Sequence, residues 1–236
     1  MYQARTRRGP TGLARRVHPR PPMTVPSLPA EAFRRADESP DDDFYAAPRL
    51  VTHIDGAAIA AVTQLYRDLV PAGGAVLDLM SSWVSHLPPE AAYARVAGLG
   101  MNADELAANP RLTDRRVQDL NADPRLPYGD AEFDAAVCCV SVQYLTRPVE
   151  VFAELARVLR PGAPAVVTFS DRCFPTKAVA VWQALDDAGH ARLVASYFAA
   201  AGGFGPAEVH VHPPDALEPR RRRATDPLVG VVARRR

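Results

Sequence analysis

The chain has one lysine, Lys177, among 28 basic side chains, and these are balanced by 27 acidic ones to a net charge of +1. No global field therefore draws it to nucleic acid or to a membrane surface. Cysteine is scarce: Cys138, Cys139 and Cys173 are the only three. Neighbours on a strand point to opposite faces, so Cys138 and Cys139 are poorly placed to pair. No CxxC-type spacing offers a metal site, and the three read as small buried apolar residues in a reducing compartment. No apolar run approaches the ~20 residues of a membrane span, and no apolar segment of a secretory leader follows the basic start. The expectation is a cytoplasmic protein.

What remains is an ordinary globular composition, 47% apolar over 236 residues, enough for one domain with appendages. Residues 1–40 read as a disordered tail rich in Arg and Pro, and translation from Met23 would remove its first 22 residues. Residues 41–236 read as one domain with an N-terminal helical cap. Asp41, Asp42 and Asp43 suit a solvated helix start. Asp55 is a good N-cap for a helix over Gly56 to Leu69, with Ile59, Val62, Leu65 and Tyr66 on one face.

The organising stretch runs from Ala75 to His86. Ala75, Val76 and Leu77 suit a buried parallel strand, Asp78 ends it, and Ser81 and Ser82 offer caps for a following helix. Ligands in doubly wound folds collect at the carboxyl ends of strands, so the ligand is expected near Asp78 to His86. Further strands are expected over Tyr93–Leu99, Val117–Asn121, Phe133–Val142 and Ala165–Phe169. Helices are expected from Pro88, over Ala103–Ala108, from Pro148 to Leu159, over Thr176–Asp187 and over His190–Ala201. Glu208–His212 and Leu228–Ala233 close as a hairpin around the basic run Arg220 to Arg223. This order predicts an α/β, Rossmann-like, doubly wound seven-stranded sheet, mostly parallel with an antiparallel C-terminal hairpin.

Two segments in the back half carry a resemblance. Leu126-Pro127-Tyr128-Gly129-Asp130-Ala131-Glu132-Phe133-Asp134 is similar to "LPF-x-D-x-x-FD". Val151-Phe152-Ala153-Glu154-Leu155-Ala156-Arg157-Val158-Leu159-Arg160-Pro161-Gly162 is similar to the helix "E-x-x-R-V-L-R-P-G-G". In this order the chain, over about Asp55 to Arg234, resembles the class I S-adenosylmethionine-dependent methyltransferases of the type 11 group. The front half departs from that pattern. Where the family reads "VLDLGCGTG", this chain reads Val76-Leu77-Asp78-Leu79-Met80-Ser81-Ser82-Trp83-Val84, and every family glycine is replaced. Where the second strand of the family ends in an acid for the ribose hydroxyls, Gly100 stands.

The resemblance implies methyl transfer from S-adenosyl-L-methionine to a small-molecule acceptor, with no metal. It assigns Asp78, Met80, Ser81 and Ser82 to the methionine end of the cofactor, and Met101, Asp119 and Leu120 to the adenine. Asn102 or Asn121 would replace the ribose acid, and Ser141 opens the segment beside the reactive methyl. Tyr144 and His86 are the catalytic candidates, one to order the acceptor and one as a base. Each has a plainer counterpart: Tyr144 a buried ring bonded to backbone, His86 a half-exposed helix histidine, Trp83 a lid or core contact. Arg172 and Lys177 fit an anion or simply the surface, and Cys173 lacks a neighbour that would lower its pKa. The altered glycines leave a second reading open, a methyltransferase-like binding or scaffold protein without transfer activity. The acceptor and the oligomeric state stay open.

Overall fold

In a computed structural model of the chain, which describes residues 28–213, 217 and 225–236, seven strands form one sheet. They are β1 (Ala75–Leu79), β2 (Arg95–Gly100), β3 (Asp114–Val117), β4 (Ala135–Cys139), β5 (Pro164–Phe169), β6 (Glu208–His212) and β7 (Leu228–Arg234). Their spatial order is β3-β2-β1-β4-β5-β7-β6. The first five run parallel, while β7 lies antiparallel to both β5 and β6. This is the expected fold class. Among the described residues six α-helices accompany the sheet: α1 (Asp41–Phe44), α2 (Gly56–Leu69), α3 (Ala103–Ala108), α4 (Pro148–Val158), α5 (Ala180–Gln183) and α6 (Asp187–Ala201).

Alternation within the central strands sends residues to two cores. On one face Leu77, Leu79, Val167 and Val231 pack with Phe152, Leu155, Trp182, Tyr197 and Phe198 from α4, α5 and α6. On the other, Val76, Val96, Val137, Val166 and Val232 pack with Ala58, Val62, Leu65 and Tyr66 of α2. The cap of α2 forms as expected: the Asp55 side chain accepts from Ala58 N at 2.9 Å, a contact that stabilises a helix end by ~1 kcal/mol.

The two back-half motifs act as stitching. Arg157 on α4 donates to the carbonyls of Leu126 and Tyr128 and to the carboxylates of Asp130 and Glu154, and Glu154 accepts from Leu126 N. Asp134 accepts from Ala75 N at 2.8 Å, and Arg160 donates to its other oxygen. These residues lock the amino ends of β1 and β4 and leave the opposite end of the sheet free for chemistry.

Several expectations are corrected. β1 leads to β2 with no helix between them, so neither the helix after Ser82 nor the one from Pro88 forms. β3 lies at Asp114–Val117, and residues 118–121 form a loop. Residues 28–40 are placed against the domain, Leu28 and Phe33 packing on the first core. That core contact, with a single 3₁₀ turn over Ala30–Phe33, argues against a tail reaching to residue 40. Residues 1–27 and the Arg220 to Arg223 run lie outside the described residues. Asp41 is buried, not solvated. The helix expected from Thr176 shrinks to α5, and α6 begins three residues earlier than expected.

Candidate functional site

At the carboxyl ends of β1, β2 and β4 the sheet opens into a cavity of ≈ 320 Å³, within the ~300–1,000 Å³ of small-molecule pockets. All ten residues expected to hold a cofactor line it: Asp78, Met80, Ser81, Ser82, Met101, Asn102, Asp119, Leu120, Asn121 and Ser141. So do Tyr144, His86 and Trp83.

The turn after β1 is built without glycine and without a helix. Met80 takes the left-handed conformation, φ 55°, that a glycine would adopt at little cost. Ser81 N continues the sheet, donating to Leu99 O at 2.8 Å. The hydroxyls of Ser81 and Ser85 both donate to Asp78 Oδ2, at 2.7 and 2.6 Å. Buried Asn109 donates to Ser82 O and Ser85 Oγ at 2.8 and 2.9 Å. Ser82 Oγ donates to Glu105 on α3, and Trp83 Nε1 donates to Val51 O at 2.9 Å. Polar side chains from elsewhere in the chain thus hold a loop where the capping serines predict a helix. His86 belongs to this loop, at φ 52°, and not to a helix.

Burial pushes the Asp78 carboxyl up to about 6, against the opposing effect of the Ser85 and Ser81 hydroxyls. Burial likewise lowers His86 and His53, which favours their neutral imidazoles. Burial raises Tyr144 to about 12, which keeps its phenol protonated at neutral pH. The Tyr144 hydroxyl accepts from Phe174 N at 2.9 Å and retains its own proton.

Gly100 is required by the close approach of the β1 loop: a β-carbon there would stand 2.1 Å from the Ser81 carbonyl oxygen. An acid at this position is excluded. Neither asparagine is free to replace it. Asn102 accepts from the amides of Asp104 and Glu105 and donates to the carbonyls of Tyr45 and Ala46. Asn121 donates to Asp41 Oδ2 and Tyr144 O, and accepts from Thr146 N and Oγ1. Glu105, which also lines the cavity, is the carboxylate that sequence reading missed. The spacing Asn102-x-x-Glu105 imitates a capping box, but Glu105 reaches instead to Arg49 N, at 2.6 Å, and to Ser82.

The N-terminal segment closes the other wall. Tyr45, Arg49, Val51, Thr52 and His53 line the cavity together with Tyr144, Arg172, Cys173 and Phe174. Phe174 meets the rings of Phe44 and His53 edge-on, each at 5.4 Å. Arg172 donates to Asp226 through Nε at 2.9 Å. Lys177 does not face this space; it is fully buried among Asp37, Ser39 and Asp41, so it is no surface cation and no substrate contact. The three cysteines carry no disulfide. Among the described residues no group of three or more His, Cys, Asp or Glu forms a metal site, and no helix is long and apolar enough to cross a membrane.

The comparisons with known proteins agree with this geometry. Residues 80–167 match the family model described as a methyltransferase domain. No curated protein matches the sequence. Among solved structures, the [4+2]-cyclase SpnF is 17% identical with a TM-score of 0.55, covering 82% of this chain and 91% of its own. An S-adenosylmethionine-dependent methyltransferase of Thermotoga maritima, named as a possible histamine N-methyltransferase, is 16% identical with a TM-score of 0.53, over 76% of this chain and 90% of its own. Phosphoethanolamine N-methyltransferase 2 of Haemonchus contortus, bound to S-adenosyl-L-methionine, is 14% identical with a TM-score of 0.52, over 75% of this chain and 52% of its own. These identities speak to fold. Residues 80–167 thus resemble a methyltransferase domain, and the strand order around the cavity is that of a fold shared with S-adenosylmethionine-dependent methyltransferases.

Proposed function

We propose that the protein transfers a methyl group from S-adenosyl-L-methionine to a small-molecule acceptor. The observation that carries this reading is that one cavity joins the residues after β1, β2 and β4 to an aromatic wall of Tyr45, His53, Tyr144 and Phe174. A walled pocket of this size suits a small acceptor better than a macromolecular surface.

The residues present fit the family's cofactor, though with altered partners. Met101 and Leu120 offer apolar faces for an adenine, and Asp119 keeps a carboxylate whose Oδ1 accepts from Asn121 N at 2.8 Å. Glu105 offers a carboxylate for the ribose hydroxyls that Gly100 cannot. The cofactor, when bound, supplies an activated methyl on a cationic sulfonium. The chain then has to align an acceptor and keep water away, and alignment of this kind supplies up to ~7–11 kcal/mol. Tyr144, anchored through its hydroxyl to Phe174 N, has a proton to donate to an acceptor atom. His86 and His53, kept neutral by burial, are the groups able to take a proton from an acceptor that must lose one.

Calorimetry with S-adenosylhomocysteine tests the reading: micromolar binding, weakened in Asp78→Ala, is the expected result. Absence of binding at millimolar ligand would remove it. The second reading, a binding or scaffold protein of this fold, draws on Met80 and the Ser81 carbonyl standing where relatives have glycine space. The relative that is a [4+2]-cyclase shows that this fold hosts more than methyl transfer.

A further inference from the structure

Charge is distributed unevenly around the cavity. The carboxylates stand on the side of β1, β2 and β3: Asp78 lies near the end of β1, Glu105 follows β2 and Asp119 follows β3. Each is engaged within the chain, by Ser81 and Ser85, by Arg49 N and Ser82, and by Asn121 N. Asp41 also lines this space and is held by Arg35 and Lys177. Arg172 stands apart from them. It follows β5, and β4 separates β5 from β1. Two strand spacings put roughly 10 Å between the ends of β1 and β5. Arg49 turns its guanidinium onto the Phe44 and Phe174 rings and donates to Phe44 O. Burial holds His53 and His86 toward their neutral forms.

Arg172 is anchored by one edge. Its Nε donates to Asp226 Oδ1 at 2.9 Å. The second Asp226 oxygen accepts from Asp55 N at 3.0 Å, and Asp226 N donates back to Asp55 Oδ2 at 2.8 Å. The remaining Asp55 oxygen caps α2. Asp226, with a side chain 10% exposed, is thus a fixed post whose oxygens are both occupied. Asp171, next to Arg172 in the chain, accepts from the Ser170 hydroxyl at 3.3 Å. Among the described residues the two terminal nitrogens of Arg172 have no hydrogen-bond partner. They form the flat edge of the guanidinium that pairs with a carboxylate or phosphate through two parallel bonds. The side chain is 62% exposed, so water serves these nitrogens until an anion displaces it. The same segment supplies the aromatic wall. Phe174, two residues on, meets the His53 ring edge-on and holds the Tyr144 hydroxyl through its N–H, and all four residues line the one cavity.

We infer that the methyl acceptor is a small aromatic acid, its carboxylate or phosphate paired with the terminal nitrogens of Arg172 and its ring set against Tyr144, Phe174 and His53. The inference rests on the methyl-transfer reading above and names the class of its acceptor. The full-length protein, first titrated with S-adenosylhomocysteine and then saturated with it, is titrated by calorimetry with benzoate, phenyl phosphate, benzamide and benzylamine. Benzoate or phenyl phosphate should bind about tenfold more tightly than benzamide or benzylamine, a low figure for a hydrogen bond to a charged group because the mouth is solvated and screened. The tighter of the two identifies the anion. Arg172→Met should abolish the preference while benzamide stays within about twofold of the parent protein's affinity. Arg172→Lys should restore part of it, as a charge without the planar fork. A parent protein that binds S-adenosylhomocysteine but holds neither anion more tightly than benzamide would overturn the inference. So would an Arg172→Met variant that keeps the preference, or benzylamine as the tightest of the four. Failure of the parent protein to bind S-adenosylhomocysteine would instead overturn the methyl-transfer reading, and the acceptor role of this site with it.

Discussion

The ammonium of Lys177 stands 3.2 Å from the carboxylate of Asp41, with side-chain exposures of 0% and 4%. The chain's only lysine is thus spent on an internal ion pair. Asp41 also binds Arg35 through both oxygens at 2.7 Å and Asn121 at 2.9 Å. Burial opposes its charge, but these partners hold its carboxyl below the usual carboxylate range. The pair fastens the N-terminal wall of the cavity to the loop after β5 and, through Asn121, to the loops after β3 and β4.

Lys177→Met should lower stability by about 3 kcal/mol, because removing one partner leaves a buried carboxylate with less compensation. Urea unfolding gives the number. Limited proteolysis should at the same time cut faster between Arg35 and Leu50. An unfolding midpoint within error of the parent protein's would contradict the assignment.

Gly100→Ala should be costly despite its small size. The added carbon meets main chain, the Ser81 carbonyl at 2.1 Å, and backbone yields less readily than a side-chain tip. A loss of roughly 3 kcal/mol is expected, at the upper end of overpacking. Gly100→Asp should be worse still and should not improve binding of S-adenosylhomocysteine. Tighter binding in Gly100→Asp would show that the β1 loop moves aside.

Asp78 should leave a signature in stability against pH. Its folded-state value is about 6, above the ~3.9 of an unfolded aspartate. The folded state therefore holds the proton more tightly between these values. By linkage the Asp78 contribution is favourable below about pH 4 and is lost as pH rises through about 6. Asp78→Asn does not titrate, so its stability relative to the parent protein should gain about 2–3 kcal/mol between pH 4 and pH 7. Parallel unfolding curves across that window would rule the shift out.

Asn109→Ala should loosen the β1 loop by cutting both of its ties, to Ser82 O and Ser85 Oγ. About 2 kcal/mol is expected, since the Ser82 carbonyl loses its partner. Hydrogen exchange should rise across residues 81–86 while α2 stays protected. Uniform protection of the loop would show that Asp78 and Glu105 hold it unaided.

The sequence by itself determined the sheet apart from β3, whose mostly exposed residues carry no apolar run. Period-two and continuous apolar runs are local signals, and short-range caps such as Asp55 set α2 to the residue. The back-half motifs were legible for the same reason: Glu154 and Arg157 lie one turn apart on α4. The ten residues expected around the cofactor were found together because strand ends in this topology converge on one mouth. Only the tertiary structure decided what fills the space between β1 and β2. Ser81 and Ser82 look like helix caps in isolation, but Asn109, Glu105 and the Leu99 carbonyl, each distant in sequence, bind them in a loop. Local preference lost there to hydrogen bonds whose partners are unknown until the chain closes on itself. The same holds for Lys177, which composition reads as a surface cation and which three neighbours from the N-terminal segment draw inside.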